Sequence, residues 1–191
     1  MKVTPLYNYV ERLSEVLRVG SRQAGAEYGL QPVQLEALHY LSICNRYSDT
    51  PMAVTEFLGQ TKGTVSQTLK VLEKKGFLFR EADEDDKRVS HLKVAEAGWQ
   101  LLARSIPGLL FDKACERLTQ AEQSQIVAAL DMLLRALLQG NQMKSFGVCA
   151  TCRYNQKQDE GGYFCDLLQQ PLAVDEVSKI CKEHKEVLKS I

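Results

Sequence analysis

A chain of 191 residues, 45% hydrophobic and 25% charged, has the composition of a folded globular protein and not of a disordered one; its length suits one domain with an appendage or two small domains. Its 24 basic and 24 acidic residues cancel overall and in each part, 17 against 17 up to Gly140 and 7 against 7 beyond, so net charge selects no class of partner. No apolar run approaches the roughly 20 residues of a membrane span, and MKVTPLYNYVERLSEVLRV scatters charge where a secretory leader would be apolar, so a cytoplasmic protein with reduced thiols is expected.

Residues 5–24 place Leu6, Tyr9, Val10, Leu13, Val16 and Leu17 at helical spacing. Gly25 and Gly29 loosen the chain before Pro32 opens a second helix, carried by Val33, Leu35, Leu38 and Leu41 to about Cys44. After the polar stretch NRYSDTP come a short helix over 53–58, a tight turn, and a helix over 63–75 with Val65, Leu69 and Leu72 on one face, stopped at Gly76. Short helix, turn and a second helix with a polar face form a helix-turn-helix pattern. Between residues 62 and 80 there are five basic residues (Lys62, Lys70, Lys74, Lys75, Arg80) and one acid, Glu73, a composition suited either to a phosphate-facing surface or to a solvated helix face. Phe77–Phe79 and Val89–Val94 then read as two strands around the charged tip EADEDDKR, which makes a wing. Residues 96–118 and 119–138 return to helical spacing, the first broken at Pro107–Gly108 and the second opened by a capping box at Thr119–Glu122; Gly140 and Asn141 end it.

The stretches TKGTVSQTLKVLEKKGFLFR (61–80) and DEDDKRVSHLKVAEAG (83–98) resemble the recognition helix and wing of the MarR family of bacterial transcriptional regulators, with an Asp-x-x-Asp-x-Arg arrangement at Asp83, Asp86 and Arg88 and a Gly-ended turn at Gly98 into the next helix. The resemblance covers roughly residues 5–140. It implies a mainly α (α+β) fold: an N-terminal dimerisation helix (1–30), a winged helix-turn-helix (31–98), dimerisation helices (99–140) and a cysteine-rich appendage (141–191) that the family pattern does not include. It implies a non-enzymatic regulator, dimeric on a palindromic operator in double-stranded DNA. Thr64, Ser66 and Gln67 suit base edges, Lys62, Lys70 and Lys87 suit phosphates, and Arg88, oriented by Asp86, suits the minor groove. Asp83, Glu84, Asp85 and Asp86 would repel phosphate, so most are expected to turn away or pair with Lys87 and Arg88. Ala95 departs from the pattern, which has a capping threonine there. No residue fixes a pocket for a small-molecule effector.

The last segment holds four of the six cysteines, spaced Cys149-x2-Cys152-x12-Cys165-x15-Cys181, with His184 three residues on. Apart from a helical pattern over about 174–189 and the aromatics Phe146, Tyr154, Tyr163 and Phe164, it has little from which to build a core, and such a segment needs a metal or a covalent staple. An iron–sulfur cluster (4Fe–4S or 2Fe–2S) on the four thiolates is the leading reading. Zinc is the alternative, although only one Cys-x-x-Cys knuckle is present, with Cys181 and His184 as a loose second, and a metal-free thiol–disulfide switch is the third. Cys44 and Cys115 read as small core residues, His39 and His91 as packing or hydrogen-bonding groups, Trp99 as core or dimer interface, and His184 as an exposed helix residue. A reading of another class, an electron carrier on a winged-helix scaffold, rests on the cysteines alone; no Gly-rich dinucleotide loop or nucleophile constellation accompanies them.

Overall fold

The computed structural model describes residues 4–84, 86–140, 143–159 and 161–187. Asp85 and Asn141 lie outside them. The first helix, α1 (Pro5–Ala26), is capped by Thr4, whose hydroxyl accepts the N–H of Tyr7. Next come α2 (Pro32–Ile43), α3 (Pro51–Leu58) and α4 (Lys62–Lys74). Proline stands at the first turn of α1, α2 and α3, where its missing N–H costs nothing. Thr50 caps α3 and Thr61 caps α4. Strands β1 (Leu78–Ala82) and β2 (Ser90–Val94) pair antiparallel from Leu78↔Val94 to Ala82↔Ser90. Helices α5 (Glu96–Ser105), α6 (Leu109–Cys115) and α7 (Gln120–Gly140) follow, the α5–α6 break falling at Pro107–Gly108. Thr119 and Glu122 form the expected box at the start of α7, exchanging backbone bonds of 2.8 and 3.3 Å. Ala95, at the N-cap of α5, makes no side-chain bond.

The main core gathers Leu35, Leu38, Tyr40 and Leu41 of α2, Val54 of α3, Val65, Leu69 and Leu72 of α4, Leu78 and Leu92 of the wing, and Leu101 of α5. Among the described residues, α6 and α7 contribute nothing to it. Cys44 belongs to the core, whereas Cys115 is only half-buried and Trp99 is about half exposed, so neither is a core residue of the single chain. Gly98 is inside α5, not at a turn before it. A Cβ there would lie 2.3 Å from the carbonyl oxygen of Phe77, so glycine is what lets α5 press against the start of the wing.

Two expectations for the C-terminal segment fail. The helical pattern over 174–189 yields only α8 (Val174–Val177); Lys179 is a bend, Ile180 bridges both Cys44 and Val148, and Lys182 and Glu183 form a turn. Residues 188–189 of that expected helix lie outside the described ones. The segment also builds more structure than its composition promised: a three-stranded antiparallel sheet of β3 (Asn155–Lys157), β4 (Tyr163–Cys165) and β5 (Gln170–Leu172), over a small cluster of Cys149, Leu172 and Val177 joined by Tyr47. Phe146 leaves this segment to stack edge-on against Tyr40 and Phe57 in the main core. No helix among the described residues is long and apolar enough to cross a membrane.

Candidate nucleic-acid interface and thiol cluster

Burial of Val65, Leu69 and Leu72 leaves the opposite side of α4 in solvent. Lys62, Ser66 and Lys70, four residues apart, line that side, with Thr64 and Gln67 beside them, all exposed. The α4 cap is Thr61, which the sequence reading had not singled out; its hydroxyl accepts the N–H of Thr64 (3.2 Å) and lies 3.0 Å from the Thr64 hydroxyl. Two of the five basic residues are tied to the protein itself: Arg80 to Glu73 at 3.1 Å and Lys75 to the carbonyl of Tyr28 at 3.0 Å. Lys62 and Lys70 face outward.

The wing tip is an internally bonded turn. Asp83 accepts the N–H of Asp86 (2.7 Å), and Asp86 accepts the N–H of Arg88 (3.0 Å). Asp86 then takes two side-chain bonds from Arg88, Nε at 2.9 Å and an Nη at 2.8 Å. These side-chain bonds first, and the Arg88 N–H second, hold the Asp86 carboxyl below the usual carboxylate range. The Arg88 side chain is 91% exposed yet fixed in direction by that fork. Of the acids expected to repel phosphate, Asp83 and Asp86 are thus engaged within the wing; Asp85 lies outside the described residues. Lys87 is exposed at the same tip. Behind the tip, His91 joins Asp49 (Nδ1 to Oδ1, 2.5 Å) to Asp83 (Nε2 to Oδ2, 2.9 Å), and Lys93 reaches the other Asp49 oxygen at 2.7 Å. Burial lowers the His91 pKa, but the bonds to Asp83 and Asp49 outweigh it and the net shift is upward. His91 is therefore a hydrogen-bonding residue, as expected. Asp49, which holds the wing to the α2–α3 connector, carries no sequence motif that could have flagged it.

The four tail cysteines come from three places. Cys149 and Cys152 flank a 3₁₀ turn, Cys152 donating its N–H to the Cys149 carbonyl (3.0 Å). Cys165 ends β4, and Cys181 donates its N–H to the Gly147 carbonyl (2.9 Å). Burial, then the neighbouring thiols of Cys181, Cys152 and Cys165, push the Cys149 thiol up to about 12. All six cysteines are free. The N–H of Lys185 points at the Cys152 sulfur at 3.5 Å, the kind of bond that tunes a metal-bound thiolate. Among the described residues, no three His, Cys, Asp or Glu side chains stand close enough to share one metal ion. Cys149 lies near enough to Cys181, Cys152 and Cys165 to feel their charge, and four thiolates form a soft donor set of the kind that iron–sulfur clusters and zinc both use.

His184 is not an exposed helix residue. Its ring is buried, with Nδ1 2.9 Å from the Ser145 hydroxyl and Nε2 3.0 Å from that of Thr151. Burial lowers its pKa. Both ring nitrogens are engaged with hydroxyls, which leaves neither directed at the sulfurs. Residue 147 has to be glycine for this packing, because a Cβ would meet the His184 ring at 2.5 Å.

Residues 28–89 match the model of the MarR family. No curated protein matches the chain. Among solved structures, the chain is similar to a MarR transcriptional regulator from Methanosarcina mazei Go1, at 18% identity and TM-score 0.59 over 70% of this chain and 96% of the other. It is similar also to S. aureus MepR in a MepR–DNA complex (23%, 0.54, 71% and 99%) and to apo MarR from E. coli (20%, 0.51, 72% and 99%). These neighbours show a shared winged-helix fold. Each is covered almost whole, while over a quarter of this chain lies outside the superposition.

Proposed function

We propose that this MarR-like chain is a sequence-specific, homodimeric, DNA-binding transcriptional regulator that senses redox or iron state through an iron–sulfur centre on Cys149, Cys152, Cys165 and Cys181. The observation that carries the DNA-binding reading is the pairing of two surfaces: the outward face of α4 with Lys62, Ser66 and Lys70, and the oriented guanidinium of Arg88 at the wing tip. A recognition helix enters the major groove by its N-terminal part while a wing arginine takes the adjacent minor groove. The S. aureus neighbour of the same fold is bound to DNA, which supports carrying that activity to this chain.

The dimer reading rests on α7. Val127, Leu130, Leu134 and Leu137 recur at three- and four-residue intervals, each about half exposed or more, on a helix that buries no residue within its own chain. An apolar stripe that long needs a cover, and a second copy supplies one through a two-fold axis. Exposed apolar residues of α1 (Leu6, Tyr9, Leu13) and α6 (Leu109, Leu110, Phe111) extend the surface. A two-fold protein reads a palindromic operator with half-sites about one helical turn apart.

The test has two arms. Fluorescence anisotropy on duplex DNA should show affinity falling steeply with salt; no binding at low ionic strength rejects the regulator. Anaerobic purification with metal analysis and absorption spectra should give a brown protein containing iron and sulfide; a colourless, zinc-loaded protein rejects the iron–sulfur centre and leaves the DNA-binding reading intact.

A further inference from the structure

We infer that residues 179–184 form a docking latch that couples the state of the four-thiol centre to the wing, so that the filled centre presets Arg88 for DNA and the emptied centre releases it. The inference rests on the proposed iron–sulfur centre and goes beyond it to its output.

Ile180 is the shared element. On one edge its N–H donates to the Ile43 carbonyl and its carbonyl accepts the N–H of Asn45, both at 2.9 Å, which sews it onto the end of α2. On its other edge the flanking residues pair with the Cys149 turn: the N–H of Cys149 donates to the Lys179 carbonyl and that of Cys181 to the Gly147 carbonyl, both at 2.9 Å. One extended residue therefore joins the cysteine cluster to the connector that leads into the helix-turn-helix.

From Cys181 the bonding continues without a gap. The next residue, Lys182, donates its N–H to the hydroxyl of Ser48 (2.9 Å), which is fully buried. Asp49 follows Ser48; its carbonyl takes the N–H of Leu92 in β2 (2.7 Å) and its carboxylate holds His91 and Lys93 of the same strand. His91 passes to Asp83, Asp83 to Asp86, and Asp86 to Arg88. The path starts at a proposed cluster ligand and ends at the arginine proposed to read the groove. Separate ties join the appendage to α7 and α3: Arg135 of α7 to Glu186 at 2.5 Å, and Lys144 to Glu56 of α3 at 2.9 Å.

The latch has the makings of a two-state element. The apolar cluster beneath the appendage comprises three buried residues, Cys149, Leu172 and Val177. A core that small does not hold its own loops without a staple. Four occupied thiolates fix the Cys149 turn relative to Cys181 and so hold residues 179–181 in register with α2. Without them that edge frays, Ser48 and Asp49 lose a restraint, and the wing samples orientations unfit for the groove. An effector coupled to a ligand in this way changes affinity by about 5–150-fold.

The experiment uses the full-length protein, reconstituted anaerobically with ferrous iron and sulfide or stripped with a chelator under reducing conditions, and a duplex obtained by in vitro selection with the wild type. Filled protein should bind about tenfold tighter than stripped protein. Ser48→Ala, which touches neither a cysteine nor the DNA face, should keep the cluster absorbance and bring the filled-to-stripped ratio towards one. An unchanged ratio in Ser48→Ala at equal iron content overturns the latch, as does a wild-type ratio of one in protein that holds the cluster. Failure of the wild type to take up iron and sulfide overturns the centre itself, a different outcome. Hydrogen exchange on the wild type gives a second reading that needs no variant: stripping should deprotect the amides of Asn45, Lys182 and Leu92, and undiminished protection of Leu92 overturns the coupling.

Discussion

Gly147→Ala perturbs the cysteine appendage at its tightest contact. The added Cβ would stand 2.5 Å from both Cε1 and Nδ1 of His184 and 2.7 Å from Cγ. The residue is only 4% exposed. Moving it aside breaks the bonds to Ser145 and Thr151, at 2.9 and 3.0 Å. Overpacking of a filled site costs about 1–3 kcal/mol, and each buried hydrogen bond lost adds about 1 kcal/mol. The expected cost is therefore about 3–5 kcal/mol, concentrated in residues 143–187. Urea unfolding with hydrogen exchange at the Cys149 and Cys181 amides reads it locally. The cause is tested by a double-mutant cycle: in a His184→Ala background the clash has no partner, so Gly147→Ala should cost almost nothing there. A single-mutant cost below about 0.5 kcal/mol, or strict additivity of the two substitutions, would refute the reasoning.

Three further outcomes are expected. Arg88→Ala should weaken DNA binding about tenfold or more while leaving the melting temperature unchanged, since the side chain is solvent-exposed and anchored only within the tip; Lys70→Ala should instead lower the salt dependence by about one counterion. Leu130→Arg should convert the protein to monomers in sedimentation experiments at micromolar concentration; a dimer that survives it places the interface away from α7. His91, whose pKa is raised above its ordinary 6.5, stabilises the wing fully below that value and loses the contribution as pH rises through the raised pKa. The stability gap between the wild type and His91→Gln should therefore shrink from pH 6 upward, with Asp49, Asp83 and Lys93 as the charges facing the ring; a constant gap contradicts this assignment.

The elements from α1 to α7 were readable because each is announced by local chemistry. Apolar residues recur at 3.6 spacing, prolines stand at first turns, and threonines cap α3 and α7. The wing followed from a change of period around a charged tip. The exposed side of α4 was likewise readable, because burial of Val65, Leu69 and Leu72 decides by elimination which side faces out. Contacts distant in the chain could not be read. Asp49 organises the wing through His91 and Lys93, more than 40 positions later, and nothing in NRYSDTP distinguishes it from a turn residue. Tyr28 taking Lys75, and Glu73 taking Arg80, shrink a basic patch that composition alone had counted whole.

The C-terminal misreading has one physical cause. Val174, Val177, Ile180 and Cys181 recur at three- and four-residue intervals, the signature of a helix face, yet only the first turn is helical. Helical spacing predicts a helix only where a continuous apolar surface waits to receive it, and here Ile180 finds backbone partners on two sides instead. Ile43 and Asn45 satisfy its N–H and carbonyl on one edge, and the Cys149 turn pairs with the flanking Lys179 and Cys181 on the other, so partners distant in the chain take the place of the bonds that a further helical turn would make. The extended path is also what carries Cys181 back beside Cys149, because a helix continued through 189 would carry it away from the turn that holds the other thiols. Gathering four cysteines and ending the helix early are thus one structural decision, and Gly147 is the residue that allows it, by leaving room for the buried ring of His184 beneath the returning chain.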